Sequence, residues 1–275
     1  MGKLLILIPN YQGGAFIRET ILPLKQGIIG SSILVVDDAS PDDPKSYLEG
    51  LADHCIYKSE NGGYAPTVNV GLQHFLDNKE YDLVMITNSD IKVNVSKAKS
   101  IANAIHENLN NKNIGVLGFL EGSTSDPDFY EGVNMSGFLF VVTREVVEKV
   151  GFLDEGFYMY GEEQDYFLRV QEAGYKLIQS KVAVEHEAES SGTSSLKNSW
   201  FAIRNSILIE FKLKKTKKIL KKIASLFALI NRLYKPKNRD DPSYLRVTRP
   251  GILTGNILLL MAISWNLYNF FWSKK

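Results

Sequence analysis

The sequence predicts an α/β protein in which a mostly parallel sheet is flanked by helices, with a helical extension at the C-terminus. Three observations predict this fold class. Short apolar segments alternate with helix-length segments up to residue 119. Polar clusters follow these apolar segments, where a strand would end. The composition changes near residue 200 from acidic to basic.

The apolar segments have the pattern of strands buried on both faces. Residues 3–8 (KLLILI) and 32–36 (SILVV) are nearly uninterrupted apolar runs, which is typical of a parallel sheet. The alternation predicts further strands at 55–58, 83–87, 114–119, 135–143 and 177–184. It predicts helices at 15–27, 44–53, 65–78, 96–111, 144–150 and 166–173.

Composition and charge exclude several classes of protein. Of the 275 residues, 44% are hydrophobic and 23% charged, which excludes a mainly disordered or collagen-like chain. The single cysteine, Cys55, excludes an intramolecular disulfide and a multi-cysteine metal site. A strand-like segment begins at Lys3 with no basic region before it, so we expect no cleavable secretory signal.

The charge is divided between two parts of the chain. Residues 1–200 carry a net charge of −12 and residues 201–275 a net charge of +13. A basic segment of this kind favours an anionic partner. The candidates are a membrane surface, a phosphorylated lipid or, less favoured, nucleic acid.

Polar clusters follow the first four predicted strands, at residues 9–12, 37–40, 61–63 and 88–90. Ligands of parallel sheets bind outside the carboxyl ends of the strands, so we expect these clusters to form one crevice. Asp37 and Asp38 have the chemistry to accept hydrogen bonds from a base or a ribose. They are equally suited to capping the next helix, and the pattern alone does not choose.

Asp90 and His186 are candidate metal ligands. A carboxylate after a strand, as in Asn88-Ser89-Asp90, can hold Mg²⁺ or Mn²⁺ on the phosphates of a nucleotide. Asn-x-Asp is also a common turn, and a single histidine is more often structural. Because imidazole is a good transition-metal ligand, Asp90, His186 and a diphosphate together would form a Mn²⁺ shell.

Three carboxylates open one predicted helix, at Glu162, Glu163 and Asp165. Acidic residues stabilise a helix N-terminus through the helix dipole, which is the purely structural interpretation. Aromatic residues surround these three, however, and crowded carboxylates beside apolar surface have one pKa raised. A raised pKa suits a general base.

The order of these motifs between about residues 4 and 205 resembles glycosyltransferase family 2, the inverting, nucleotide-sugar-dependent enzymes with the GT-A fold. It looks most like the bacterial rhamnosyltransferase branch. The resemblance implies a metal site at Asp90 and His186 for Mn²⁺ or Mg²⁺, and an acceptor side at Ser136 and Gly137. It implies that the donor is bound by Pro9, Asn10, Tyr11, Asp37, Asp38, Asn61, Gly63, Asn69, Asn88 and Ser89.

The catalytic base implied by the resemblance is Glu163, within the pair Glu162-Glu163. The family has Glu-Asp at this place, so the side chain here is one methylene longer. Asp165 is the alternative base. The Glu-Glu departure also supports a second hypothesis, in which the chain is a catalytically inactive nucleotide-sugar binding or scaffold protein of the same fold.

The resemblance implies a catalytic domain at residues 1–205, with a nucleotide-sugar half at about 1–115 and an acceptor half at about 116–205. The expected reaction moves a sugar from dTDP-L-rhamnose, or else a UDP-sugar, to a hydroxyl of a lipid-linked or cell-surface glycan. We expect a role in polysaccharide biosynthesis for the cell envelope. The residues do not fix the sugar or the linkage.

The extension at 206–275 is predicted to be helical and to associate with a membrane. Residues 212–235 form a basic amphipathic pattern, which favours an anionic membrane surface over nucleic acid because of its apolar face. The alternative is a helix packed on the catalytic domain. Residues 251–272 are uncharged and long enough to span, but their asparagines and aromatics suit an interface. A helix for homodimerisation is the third option. We expect a cytoplasmic protein attached peripherally to the inner face of the cell membrane.

Overall fold

The chain divides into two compact units. In the computed structural model the described residues are 2–122, 135–186, 196–213, 216–232 and 252–272. The first unit comprises Met1–Tyr158 and Glu162–Ser191, and the second comprises Met159–Gly161 and Gly192–Lys275. The predicted α/β class is confirmed by the first unit.

The described strands form an eight-stranded sheet in the order β3-β2-β1-β4-β7-β6-β8-β5. The strands are β1 (Lys3–Asn10), β2 (Ser32–Asp37), β3 (His54–Tyr57), β4 (Tyr81–Thr87), β5 (Ile91–Lys92), β6 (Ile114–Glu121), β7 (Leu139–Thr143) and β8 (Lys176–His186). The first four in this order run parallel, as do β6 and β8. β7 is antiparallel to both of its neighbours, and β5 is antiparallel to β8.

Helices cover both faces of this sheet. The helices of the first unit are α1 (Gly14–Gly27), α2 (Pro44–Leu48), α3 (Tyr64–Asp77), α4 (Val95–Asn108), α5 (Arg144–Val150) and α6 (Glu162–Glu172). Along β1, Leu4 and Ile6 pack into the apolar layer with α1 and α4, whereas Leu5 packs into the layer with α3 and α6. This burial on both faces explains why β1 has no alternating polar residues.

Two predicted elements are shorter in the structure. The helix predicted at 44–53 ends at Leu48, because Gly50 turns the chain with a φ of 70°. Asp53 instead accepts a hydrogen bond from the backbone N–H of Ile33 at 2.9 Å. The strand predicted at 135–143 begins only at Leu139.

The described part of the second unit contains three helices: α7 (Leu196–Lys212), α8 (Thr216–Arg232) and α9 (Ile252–Trp272). α7 crosses the domain boundary predicted at residue 205 and lies wholly within this unit. Its Arg204 guanidinium lies 4.4 Å from the centroid of the Trp265 ring of α9. The Asn266 amide, buried in α9, donates to the Arg204 carbonyl at 3.0 Å.

The apolar residues of α8 divide between the interior and the surface. Ile219, Ile223 and Leu226 pack against the core of the second unit, whereas Leu220 and Phe227 are 65% and 56% exposed. The last residues of the amphipathic segment predicted at 212–235, from 233 onward, lie outside the described residues. α9 also carries exposed apolar side chains, at Ile257, Leu260, Met261, Leu267, Tyr268 and Phe270. Among the helices that the structure describes, none combines the length and apolarity needed to cross a membrane.

Candidate active site

The carboxylate of Asp37, at the end of β2, accepts three hydrogen bonds from its own chain. It is 1% exposed. Asn10 Nδ2 donates to it at 2.6 Å, Ser40 Oγ at 2.6 Å and the Ser40 backbone N–H at 2.9 Å. These bonds join the ends of β1 and β2 and fix the turn that follows β2.

Asp38 anchors the loop that leads into α3. Its Oδ1 accepts from Lys58 Nζ and from the Gly62 backbone N–H at 2.9 Å, and its Oδ2 accepts from the Gly63 N–H at 2.8 Å. Gly63 has a φ of 88°, and a Cβ there would meet the Tyr158 carbonyl oxygen at 2.6 Å. The left-handed conformation and the close approach both require glycine here.

The remaining predicted donor residues of β1 and the Asp38 loop differ in exposure. Pro9 and Asn10 are buried at the end of β1, while Tyr11 is 48% exposed in the turn after it. Asn61 Oδ1 accepts a hydrogen bond from the Tyr158 hydroxyl at 3.0 Å. Tyr11 and Asn61 are therefore the more accessible of the four.

Asn69, another predicted donor residue, is hydrogen-bonded within the first unit. It lies on the buried face of α3, and its Nδ2 donates to the Leu153 carbonyl and to Glu155 Oε1, both at 2.9 Å. Its Oδ1 accepts from the Leu153 N–H at 2.9 Å. With both amide hydrogens used, Asn69 ties α3 to the segment before α6.

The structure brings Asp90 and His186 together. Ile91 of β5 pairs with His186 at the end of β8, which places the Asn88-Ser89-Asp90 turn beside the imidazole. His186 Nε2 lies 3.1 Å from Asp90 Oδ1 and 3.1 Å from Asn88 Nδ2. The Ser89 carbonyl accepts a hydrogen bond from Thr20 Oγ1 at 2.8 Å, which holds this turn against α1.

Glu121, at the end of β6, was not predicted as a site residue. Its Oε1 lies 3.2 Å from His186 Nδ1, and its Oε2 accepts from Ser136 Oγ at 3.3 Å. Burial by itself would lower the pKa of His186, but the bonds to Asp90 and Glu121 outweigh burial and raise that pKa to about 9. The sequence signal was an acidic residue ending a strand.

The residues at this edge of the sheet fit a divalent cation. Asp90 and His186 present a carboxylate oxygen and an imidazole nitrogen to the same point, a donor set that suits Mn²⁺. In the part of the chain that the structure describes, no group of three or more His, Cys, Asp or Glu side chains gathers as a complete site. Oxygens of a diphosphate would complete the shell. A cation on Nε2 would displace a proton from His186.

Glu162 and Glu163 open α6 in a desolvated environment. Glu162 is 4% exposed, and its Oε2 has no hydrogen-bond partner among the described residues. Burial, followed by the charge of Glu163, raises the pKa of Glu162 well above its ordinary value. A Cβ at Gly137 would overlap the Glu163 side chain, so glycine is needed for that side chain to lie against the backbone beside Ser136.

Asp165 is held by an arginine of its own helix. It is 4% exposed and accepts a hydrogen bond from Arg169 Nε at 2.9 Å. The same guanidinium donates to the carbonyls of Val150 and Phe152 at 3.0 and 2.8 Å. Asp165 therefore anchors α6 to the end of α5.

Tyr64, the first residue of α3, is a second site residue that was not predicted. Its hydroxyl is buried, and burial together with the charges of Glu162, Glu163 and Asp90 raises the pKa of the phenol well above its ordinary value. The Tyr64 hydroxyl thus interacts electrostatically with carboxylates of both the Asp90 turn and the start of α6. An aromatic residue beside a glycine gave no such signal in the sequence.

Comparison with known proteins assigns this constellation to a family. Residues 5–154, more than half of the chain, match the family model described as glycosyl transferase family 2. The chain belongs to glycosyl transferase family 2. The predicted resemblance is therefore confirmed at the level of the family.

A relative of this family 2 transferase agrees with that assignment. The low-salt glycan biosynthesis hexosyltransferase Agl10 of Haloferax volcanii is 24% identical over 209 residues. That alignment covers 66% of each protein, so it leaves about a third of the relative unmatched.

Two solved structures show the same fold. The mannosyltransferase PcManGT from Pyrobaculum calidifontis, in complex with GDP-Man and Mn²⁺, matches 99% of this chain and 88% of its own with a TM-score of 0.65 and 17% identity. GalNAc-T7, with UDP, GalNAc and Mn²⁺, matches 98% of this chain and 57% of its own with a TM-score of 0.56 and 13% identity. These likenesses support the predicted GT-A fold.

Proposed function

We propose that this transferase moves a hexosyl group from a nucleoside diphosphate sugar to a hydroxyl of a lipid-linked or cell-surface glycan, with inversion at the anomeric carbon. The observation that carries the proposal is the 3.1 Å contact between Asp90 Oδ1 and His186 Nε2. The family and the name of the Haloferax volcanii relative support hexosyl transfer.

Asp37 and Asp38 act in donor binding by shaping the crevice. Their bonds hold the turn after β2 and the loop before α3 in fixed positions. A carboxylate has about four lone-pair sites, so each retains capacity for a base or ribose contact in addition to its present bonds. Tyr11 and Asn61 are the exposed members of the same crevice.

Asp90 and His186 would hold a divalent cation, Mn²⁺ or Mg²⁺, whose chemistry is to neutralise charge on a diphosphate leaving group. Glu163 accepts the proton of the acceptor hydroxyl. The acceptor oxygen forms a bond to the anomeric carbon as the bond from that carbon to the diphosphate oxygen breaks, and its electron pair leaves with the diphosphate. Glu163 lies next to Glu162, whose pKa is raised by burial and then by the charge of Glu163.

The donor to test first is dTDP-L-rhamnose, from the resemblance to the rhamnosyltransferase branch, followed by UDP-sugars. The two structural neighbours were solved with GDP-Man and with UDP, which supports a nucleoside diphosphate donor of some kind and adds GDP-mannose to the panel.

Glu163→Gln tests the proposed function. We expect turnover to fall by about 10²–10⁴-fold, because general-base help is of this size, while nucleotide binding stays unchanged. The measurement is release of nucleoside diphosphate from each donor, with binding followed by calorimetry. Glu172→Gln, at the exposed end of the same helix, is the matched control and should keep full activity.

Two outcomes would contradict the proposal. Near-normal turnover in Glu163→Gln would remove the base assignment. Binding of a nucleotide sugar by the wild type, with no transfer to any lipid-linked or glycan acceptor, would favour the inactive binding protein instead.

We also propose that the second unit attaches the enzyme peripherally to an anionic membrane at its cytoplasmic face, near a lipid-linked acceptor. Exposed apolar side chains at Leu220 and Phe227 share α8 with the exposed Lys218 and Lys221. A helix that combines exposed apolar and basic residues suits the surface of an anionic bilayer.

Sedimentation with vesicles tests this attachment. We expect the full chain to bind vesicles of phosphatidylglycerol more tightly than vesicles of phosphatidylcholine. Lys218→Glu with Lys221→Glu should abolish the difference, whereas Lys176→Glu with Lys181→Glu, in the first unit, should not. Equal binding to both vesicles, or a soluble dimer that leaves no vesicle-bound fraction, would contradict the attachment.

A further inference from the structure

The Tyr64 hydroxyl is a buried polar group that the catalytic scheme above leaves unused. It has no hydrogen-bond partner among the described residues, although its oxygen is excluded from water. A buried hydroxyl without a partner costs stability, and replacing it by an apolar group of the same shape is often neutral or stabilising. A ligand that binds beside this hydroxyl could supply the partner that the described residues do not.

Backbone hydrogen bonds hold Tyr64 in place at the start of α3. Tyr64 begins α3 directly after Gly63, whose N–H is held by Asp38. The Tyr64 N–H donates to the Tyr158 carbonyl at 3.0 Å, and Tyr158 itself has a φ of 63°, which is unfavourable for a tyrosine. A tyrosine in that conformation indicates that the surrounding contacts fix this segment firmly.

The surroundings of the hydroxyl identify its partner. The three carboxylates that act on it electrostatically are Glu162, Glu163 and Asp90. The next step rests on the proposed function. In that function Asp90 lies at the diphosphate of the donor, and Glu163 lies at the acceptor hydroxyl. The transferred sugar must lie between these two groups, because its anomeric carbon is bonded to one and attacked by the other.

We propose that the Tyr64 hydroxyl hydrogen-bonds a hydroxyl of the transferred sugar and so acts as a specificity-determining residue of the donor site. A phenol both donates and accepts, which matches a sugar hydroxyl. It adds no charge, unlike a fourth carboxylate, so it contacts the sugar without repelling the diphosphate.

Tyr64→Phe tests this role in the full chain, with Tyr166→Phe as its matched control. Tyr166 is fully buried in α6, and its hydroxyl also has no partner among the described residues, but its charged neighbour is Arg169 and not a carboxylate. Both variants remove one buried hydroxyl of the same kind. The difference in affinity between the two variants therefore reports the effect of the position of Tyr64. The general effect of deleting a buried hydroxyl is common to both.

The measurement compares two probes in the presence of Mn²⁺: the nucleotide sugar that the wild type binds best, from dTDP-L-rhamnose, GDP-mannose and UDP-N-acetylgalactosamine, and the corresponding nucleoside diphosphate. Tyr64→Phe should weaken binding of the nucleotide sugar by about threefold to tenfold, which is the size of one neutral hydrogen bond. Binding of the nucleoside diphosphate should stay unchanged. It should unfold at the same temperature as the wild type or a higher one. Tyr166→Phe should change neither affinity.

Equal weakening of both probes would overturn the proposal, because it would place the contact on the diphosphate. Unchanged affinity for both, with the wild type binding the nucleotide sugar, would overturn the role of Tyr64 and leave the proposed function intact. A wild-type protein that binds none of the three nucleotide sugars would overturn both.

Discussion

The two carboxylate pairs of the first unit differ in what holds their oxygens. Asp37 ends β2 and Asp38 follows it, and each receives three hydrogen bonds from groups of the same chain. Glu162 and Glu163 begin α6, and the pKa of Glu162 is raised by burial and by Glu163. Both pairs are acidic doublets at one terminus of a secondary-structure element. The first pair holds the backbone of two loops in place, whereas the second includes a carboxyl group with a raised pKa.

The difference comes from the donors that surround each pair. A turn and a glycine-rich loop meet at Asp38 and supply backbone N–H groups, and Lys58 supplies a cation. At the start of α6 the neighbours are aromatic or acidic side chains, such as Tyr64. A carboxylate surrounded by donors stabilises the fold, while one surrounded by apolar and acidic groups retains its affinity for a proton.

The largest expected effect that separates the pairs is on stability. Asp38→Ala should lower the free energy of unfolding by about 3–5 kcal/mol, because it leaves Lys58 and two backbone N–H groups without their acceptor. Chemical denaturation measures this loss. Asp42→Ala, at an exposed carboxylate of the following turn, is the control and should change stability by less than about 0.5 kcal/mol. A loss in Asp38→Ala no larger than in this control would show that the anchoring role is wrong.

A smaller effect is expected at Glu121, which is bonded within the chain but acts on a site residue. Glu121→Gln should weaken Mn²⁺ binding by about 10–100-fold, because a carboxylate on Nδ1 orients a metal-binding imidazole. Titration of Mn²⁺ in the presence of nucleoside diphosphate, followed by electron paramagnetic resonance, measures it. Glu185→Gln, exposed and adjacent to His186 in sequence, should bind Mn²⁺ normally. Equal Mn²⁺ affinities in the two variants would show that Glu121 does not contribute to metal binding.

The smallest effect is a pH dependence at Glu162. The folded protein holds this proton at a pH above the ordinary value of 4.5, at which the unfolded chain releases it. Stability therefore falls as pH rises from 4.5 toward the pKa of the folded state, because the folded state binds more protons than the unfolded state there. Glu162→Gln has no such proton and should flatten this slope. At pH 8 it should melt a few degrees above the wild type, since about 1 kcal/mol moves Tm by about 2–4 °C.

Melting curves of both proteins between pH 5 and pH 8 measure this effect. The groups that face Glu162 are Glu163 on the same helix and Tyr64 on α3. Glu172→Gln, on an exposed turn of α6, should keep the slope of the wild type. A Glu162→Gln profile that runs parallel to the wild type would indicate that Glu162 ionises normally in the fold.

Much of the first unit could be predicted because its signals are local. Uninterrupted apolar runs such as that of β1 require burial on both faces of a sheet, and the polar clusters had to follow the strands. The proximity of Asp90 and His186 was predicted from the strand ends and the family pattern. The antiparallel direction of β7 was not, because a short strand buried on both faces has the same composition in either direction.

The sequence by itself determined the α/β class, the family, the charge division and the identity of most candidate residues, because strand periodicity and motif order are written along the chain. Only the tertiary structure decided which carboxylates hold the fold together by hydrogen bonds and which carboxylate has its pKa raised by burial. Asp165 pairs with Arg169, Asn69 with Leu153, and the hydroxyl of Tyr64 has no partner among the described residues. These outcomes depend on donors and charges from other elements of the fold, and no local pattern specifies them.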